Sequence, residues 1–160
     1  AGRMTEALIE YFSSLGYNLV IEGTLRTSQV PLATATLLCE RGYDVSLALM
    51  AVKPEISLVS CQLRYEQMRL AGTTPRATDP AHHRKIVDQI MRNLAVLEDS
   101  GMFDQIHLYN RSRERLYPQE GLAMTASQAL EEALFGGWSE EELKHYASLK
   151  AELERLQCRS

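Results

Sequence analysis

The stretch Tyr17–Thr27, YNLVIEGTLRT, gathers the residue types of a polar ligand site into one short run. Its apolar centre, Leu19-Val20-Ile21, reads as a buried strand over Asn18 to Glu22. Open α/β sheets bind their ligands at the carboxyl ends of strands, and Glu22, Gly23, Thr24 and Arg26 stand at such an end. A carboxylate accepts from sugar hydroxyls, and a threonine both donates and accepts. Gly23 lets a ligand come close to the backbone. The planar fork of Arg26 suits a diphosphate. A charged turn capping the next helix would account for the same residues without any ligand.

Two further arginines suit phosphate chemistry. Arg64 falls at the border of the apolar stripe of a helix, where a solvated or ion-paired side chain is the simpler reading. Arg76 lies between Pro75 and Ala77 in the loop that follows, and alone it reads as a surface charge. As a unit they gain meaning, because a mobile loop and its stem helix can close two cations over a triphosphate. Phosphoryl transfer needs that neutralisation as charge spreads over the equatorial oxygens. Arg111, Arg113 and Arg115 form a basic loop after the last strand. It can reach adenine or phosphate, with a solvated loop as the plainer reading. Adjacent His82 and His83 point about 100° apart on a helix, so they read as a solvated first turn, not as metal ligands.

The elements that must position these groups follow from periodicity. Met4 to Leu15 places Leu8, Ile9, Phe12 and Leu15 on one helical side, with Gly16 as its cap. A second helix is expected over Gln29 to Arg41, with Pro31 early and Gly42 as its stop. The apolar run between Asp44 and Val52 suits a parallel strand covered on both faces. Pro54 opens a helix to about Leu70, with Ile56, Val59, Leu63 and Leu70 as its stripe. Asp79-Pro80 starts another to about Ser100, whose stripe is Ile86, Ile90, Leu94 and Leu97. Gln105 to Asn110 reads as a third strand and Arg111 to Ala123 as a loop. Helices near Thr125–Phe135 and Ser139–Leu156 close the chain around Gly136-Gly137, with Phe135 and Trp138 as packing anchors and Ser139 and Glu142 at capping-box spacing. Glu140, Glu141 and Glu142 suit the positive end of that last helix.

Such alternation predicts one α/β domain over 1–160, with a mostly parallel sheet and flanking helices. Three strands are few for that class, so the chain reads as the C-terminal part of a larger protein whose sheet continues elsewhere.

The totals set bounds. With 45% hydrophobic and 24% charged residues, the 160-residue chain has globular composition. A net charge of −4 argues against nucleic acid as a partner. No apolar run reaches the roughly 18 residues of a membrane span, and the first residues lack a signal peptide's pattern. Cys39, Cys61 and Cys158 are odd in number and widely spaced, which fits a reducing cytoplasm better than a disulfide framework. Cys39 and Cys61 read as small core residues.

IEGTLRT, then DVSLALMAVKPEISLVSCQLRYE, then PRAT resemble, in order and spacing, the zeta toxin family of bacterial toxin–antitoxin systems. The similarity covers nearly the whole chain. It implies a P-loop-kinase-like fold and an ATP-dependent kinase that phosphorylates UDP-N-acetylglucosamine, blocking cell-wall synthesis. It also implies a cognate antitoxin. On the matching positions it implies that Glu22, Thr24 and Arg26 line the sugar-nucleotide pocket, beside Gly23. Arg64 and Arg76 would bind ATP phosphates and stabilise the transition state, within a lid-like helix–loop–helix over about 54–100. The chain departs from that family in having no GxxxxGK[ST] run, because Lys53, Lys85, Lys144 and Lys150 stand in no glycine-rich loop. The family's catalytic aspartate would also lie upstream of residue 1. The expectation is therefore a substrate floor and an arginine clamp, inactive alone, with ATP and Mg²⁺ held only by an intact enzyme. The alternatives are a non-catalytic module binding a nucleotide sugar or a protein, and a phosphotransferase for another small molecule such as an antibiotic.

Overall fold

The structure is a computed structural model that describes residues 2–121 and 123–158. Among the described residues, six helices and three strands follow in the order α1 (Gly2–Ser14), α2 (Gln29–Glu40), β1 (Ser46–Met50), α3 (Pro54–Leu70), α4 (Pro80–Asp99), β2 (Gln105–Tyr109), β3 (Arg115–Tyr117), α5 (Ala126–Phe135) and α6 (Glu140–Gln157). The sheet order is β1-β2-β3. β1 runs parallel to β2 with Leu49 beside Leu108 and Met50 beside Tyr109. β2 pairs antiparallel with β3, with a register shift at Leu108/Tyr109.

The helix boundaries sit where local chemistry puts them. Asp79 caps α4, its carboxylate accepting from the Ala81 backbone N–H at 3.0 Å, and Pro80 follows without needing a partner for its nitrogen. Thr125 and Gln128 close a capping box on α5, and Ser139 and Glu142 close the expected one on α6. Gly16 and Gly42 follow α1 and α2 with φ of 77° and 81°, a conformation that costs glycine little.

Packing divides into two cores. Leu49, Ala51 and Leu108 from one face of the sheet meet Leu94 of α4 and Ala126, Ala129, Leu130 and Leu134 of α5. Val59 and Leu63 of α3 meet Leu153 and Leu156 of α6. Glu98 ties the layers together: its carboxylate accepts from the Ala126 N–H at 2.6 Å and from the Ser127 hydroxyl at 3.2 Å.

Several expectations are corrected. Asn18–Glu22 is not a buried strand: Val20 is 96% exposed and Ile21 42%. A strand exists by pairing its N–H and C=O groups with a neighbour, and none of the three described strands runs beside this segment. A strand appears instead at 115–117, inside the stretch read as loop, where Asn110 and Glu114 close a hairpin that folds back on β2. The sheet is consequently mixed. β1 is covered on one face only, since Ser46, Ala48 and Met50 point away from the core and are exposed. The apolar side of α1 is likewise open at Leu8, Phe12 and Leu15. Phe135 is exposed and anchors nothing, whereas Trp138 packs against Tyr146 with ring centroids 5.4 Å apart. Cys39 and Cys61 are half-buried at the margins of the cores, not inside them.

Candidate functional site

The loop from Glu22 to Arg26 is built around Leu25. Leu25 has a φ of 49°, which is unfavourable for a residue with a branched side chain. Two contacts hold it there. Its side chain packs against the main core, and its carbonyl accepts from Asn93 Nδ2 of α4 at 2.9 Å. With Leu25 turned inward, Glu22, Gly23, Thr24 and Arg26 are all exposed. None of the three polar side chains makes a hydrogen bond or an ion pair among the described residues. The loop is thus tethered at one residue and presents a carboxylate, a hydroxyl and a guanidinium to solvent. Asn93 escapes a reading of the sequence, although its place three residues after Ile90, beside the apolar stripe of α4, is a signal that a polar group faces inward.

Arg64 is exposed on α3, and its nearest polar contact is Cys61 Sγ at 3.7 Å. It borders a groove of about 370 Å³ with Val52, Ser57, Ser60, Gln67 and Arg111. Val52 and Arg111 each lie two residues past the paired ends of β1 and β2, Met50 and Tyr109. The groove therefore opens at the carboxyl ends of the two parallel strands, the place where open α/β sheets bind ligands. Its lining contains two guanidiniums and no carboxylate. Neither arginine has a carboxylate within 4.0 Å among the described residues. Arg111 is not the solvated side chain of a loose loop: its Nη1 donates to Ser60 Oγ at 2.9 Å.

His83 also departs from its expected solvated turn. Its Nε2 lies 3.1 Å from Ser57 Oγ, joining the first turn of α4 to α3 behind the groove. Burial lowers its pKa below the usual 6.5, because a desolvated imidazolium is disfavoured.

A second and larger cavity, about 750 Å³, lies between the β2–β3 hairpin, α5 and the start of α6, and shares Val52 and Arg111 with the groove. It is the less suitable place for a phosphate despite its size, since Glu114, Glu132, Glu141 and Glu142 line it. Lys53 at its edge is 2% exposed, and its ammonium donates to the Gly136 carbonyl at 2.8 Å. Arg76 stands exposed in the loop between α3 and α4, and neither Arg76 nor the Glu22–Arg26 loop lines either cavity. The structure thus brings Arg64 and Arg111 to one groove, and leaves Arg76, expected beside Arg64, and the Glu22–Arg26 loop outside it.

Comparisons with known proteins agree with this architecture. The zeta toxin family model matches residues 1–121. The chain is 45% identical over 143 residues to the toxin PezT of Streptococcus pneumoniae, covering 89% of this chain and 56% of that protein. It is 41% identical over 136 residues to the toxin zeta of Streptococcus pyogenes, covering 84% and 47% respectively. It therefore spans about half the length of these curated relatives. A solved structure from a study of the PezAT chromosomal toxin–antitoxin system of Streptococcus pneumoniae superposes with a TM-score of 0.85 at 39% identity, covering 98% of this chain and 62% of that one. With its α/β, P-loop-kinase-like fold and a match over most of its length, the chain belongs to the zeta toxin family.

Proposed function

We propose that this chain is the substrate-floor and arginine-bearing portion of a toxin kinase that transfers the γ-phosphate of ATP to UDP-N-acetylglucosamine. The observation that carries the reading is the position of Arg64. A guanidinium without a carboxylate partner borders an acid-free groove at the carboxyl ends of two parallel strands. Such a group neutralises charge on the equatorial oxygens of a transferring phosphoryl group. The Glu22–Arg26 loop supplies acceptors for sugar hydroxyls and a cation for a diphosphate. Arg76, in the loop after α3, supplies a second cation when that loop closes.

No GxxxxGK[ST] run occurs within the 160 residues, so ATP and Mg²⁺ are assigned to the intact protein and their phosphate-cradling loop to a part outside this chain. An antitoxin is the corresponding partner, as in the toxin–antitoxin system to which the structural neighbour belongs. The cytoplasm, where ATP and nucleotide sugars occur together, is the compartment that this reaction requires. No helix among the described residues is long and apolar enough to cross a membrane.

The test is a phosphoryl-transfer assay read by mass spectrometry, with ATP, Mg²⁺ and UDP-N-acetylglucosamine. It compares this chain alone with the same chain joined to the amino-terminal half of PezT. The joined protein is expected to yield the phosphorylated sugar nucleotide, and to lose it on Arg64→Ala or Glu22→Ala. Product from the chain alone would overturn the division of labour. Absence of product from both would move the substrate to another small molecule or leave a binding module.

A further inference from the structure

The fold gives Arg111 a fixed place. The residues from Asn110 to Glu114 form a self-bonded turn. Asn110 Nδ2 donates to Glu114 Oε2 at 2.6 Å, and the Glu114 N–H donates to Asn110 Oδ1 at 2.9 Å. Arg113 completes the turn with a φ of 66° and an N–H donated to the Asn110 carbonyl at 3.1 Å. The turn sends Arg111 across to α3, where it meets Ser60, one helical turn before Arg64. Two guanidiniums from separate elements therefore border one acid-free groove. Two guanidiniums on the wall of one groove favour a bound polyanion there.

We infer that Arg64 and Arg111 form a two-arginine polyphosphate site, with the Ser57 and Ser60 hydroxyls in its wall. On this account Arg111 is a phosphate-binding residue for the same donor that Arg64 serves, so the inference rests on the kinase reading. The bidentate geometry of a guanidinium suits a chain of phosphates, and a lysine would supply only a point charge. The larger cavity, which Arg111 also borders, is the poorer place for the anion, because four glutamates line it.

The test is titration calorimetry of inorganic tripolyphosphate into this chain joined to the amino-terminal half of PezT, beside its Arg64→Ala, Arg111→Ala, Arg111→Lys and Lys144→Ala variants. Lys144 is a remote, exposed cation on α6. Both alanine variants are expected to bind ~10-fold or more weakly, the loss typical of one charge-assisted contact. Arg111→Lys is expected to restore part of that loss, and Lys144→Ala to bind as the unsubstituted chain does. Circular dichroism should show all variants folded, since the three side chains are exposed. If Arg111→Ala binds normally while Arg64→Ala does not, the inference fails and the reading of Arg64 stands. If Lys144→Ala weakens binding as much as Arg111→Ala, the contact is diffuse electrostatics and the site is refuted. Absence of binding to the unsubstituted chain also refutes it, while the phosphoryl-transfer assay decides the kinase reading separately.

Discussion

Lys53 and Gly136, far apart in sequence, are joined by a hydrogen bond of 2.8 Å from the lysine ammonium to the glycine carbonyl. The bond links the residue that caps α3 to the junction between α5 and α6, and the lysine is almost wholly buried. A buried ammonium is tolerated only where its hydrogens are met. Lys53→Ala removes the stem and orphans a carbonyl, so it should destabilise the fold by about 2–4 kcal/mol. Chemical denaturation would show the midpoint falling. An unchanged midpoint would mean that the contact is incidental.

Gly136 has a second constraint. A Cβ at this position would run into both the Glu132 side chain and the Glu132 carbonyl oxygen. The carbonyl belongs to the last turn of α5 and accepts the Gly136 N–H at 2.8 Å, so it cannot retreat cheaply. Gly136→Ala should cost about 1–3 kcal/mol through this overlap. Gly137→Ala, which meets nothing within 4 Å, should be nearly neutral. Paired thermal melts would reveal the asymmetry, and equal losses would refute it.

Asn93 tethers the Glu22–Arg26 loop through the Leu25 carbonyl. Asn93→Ala should cost only about 0.5–1.5 kcal/mol in stability, the usual worth of one hydrogen bond. On the proposed kinase reading, its larger effect in the joined protein should be a raised KM for the sugar nucleotide with kcat little changed, since it would position Glu22, Thr24 and Arg26 without touching phosphate. Steady-state kinetics would separate the two constants. A fall in kcat at constant KM would contradict this role.

Glu98 supplies acceptors to the first turn of α5, where helix N–H groups lack intrahelical partners. Glu98→Ala leaves the buried Ala126 N–H without its acceptor and should lower stability by about 1–3 kcal/mol. Hydrogen exchange should quicken first at Ala126 and Ser127. Unchanged exchange there would exclude the cap.

His83 predicts how stability depends on pH. Its folded pKa is lowered by burial, so the unfolded chain takes up the proton more readily as pH drops through the usual value of 6.5. The stability it contributes is complete above that value and is lost below it, because the unfolded state then binds more protons. His83→Gln keeps a polar partner for Ser57 without titrating near neutrality. Between about pH 7.5 and pH 5.5 the unsubstituted chain should lose more stability than the variant. Equal losses would remove His83 from the account.

The helices, their caps and the family are legible from residue types and short spacings alone. Asp79, Thr125, Ser139 and the glycines after α1 and α2 act within a few residues of themselves, so local chemistry fixes them wherever the chain goes. The Glu22–Arg26 run stands out in the sequence because its polar residues are contiguous. Tertiary structure decided which extended segments become strands. Val20 and Ile21 have strand chemistry but no strand beside them among the described residues, whereas Arg115–Tyr117 pairs because a turn returns it to β2. It also decided the company of Arg64 and Arg111, of Lys53 and Gly136, and of Asn93 and Leu25. Those pairs are far apart along the chain, and nothing in local periodicity encodes a contact that exists only after distant elements have packed.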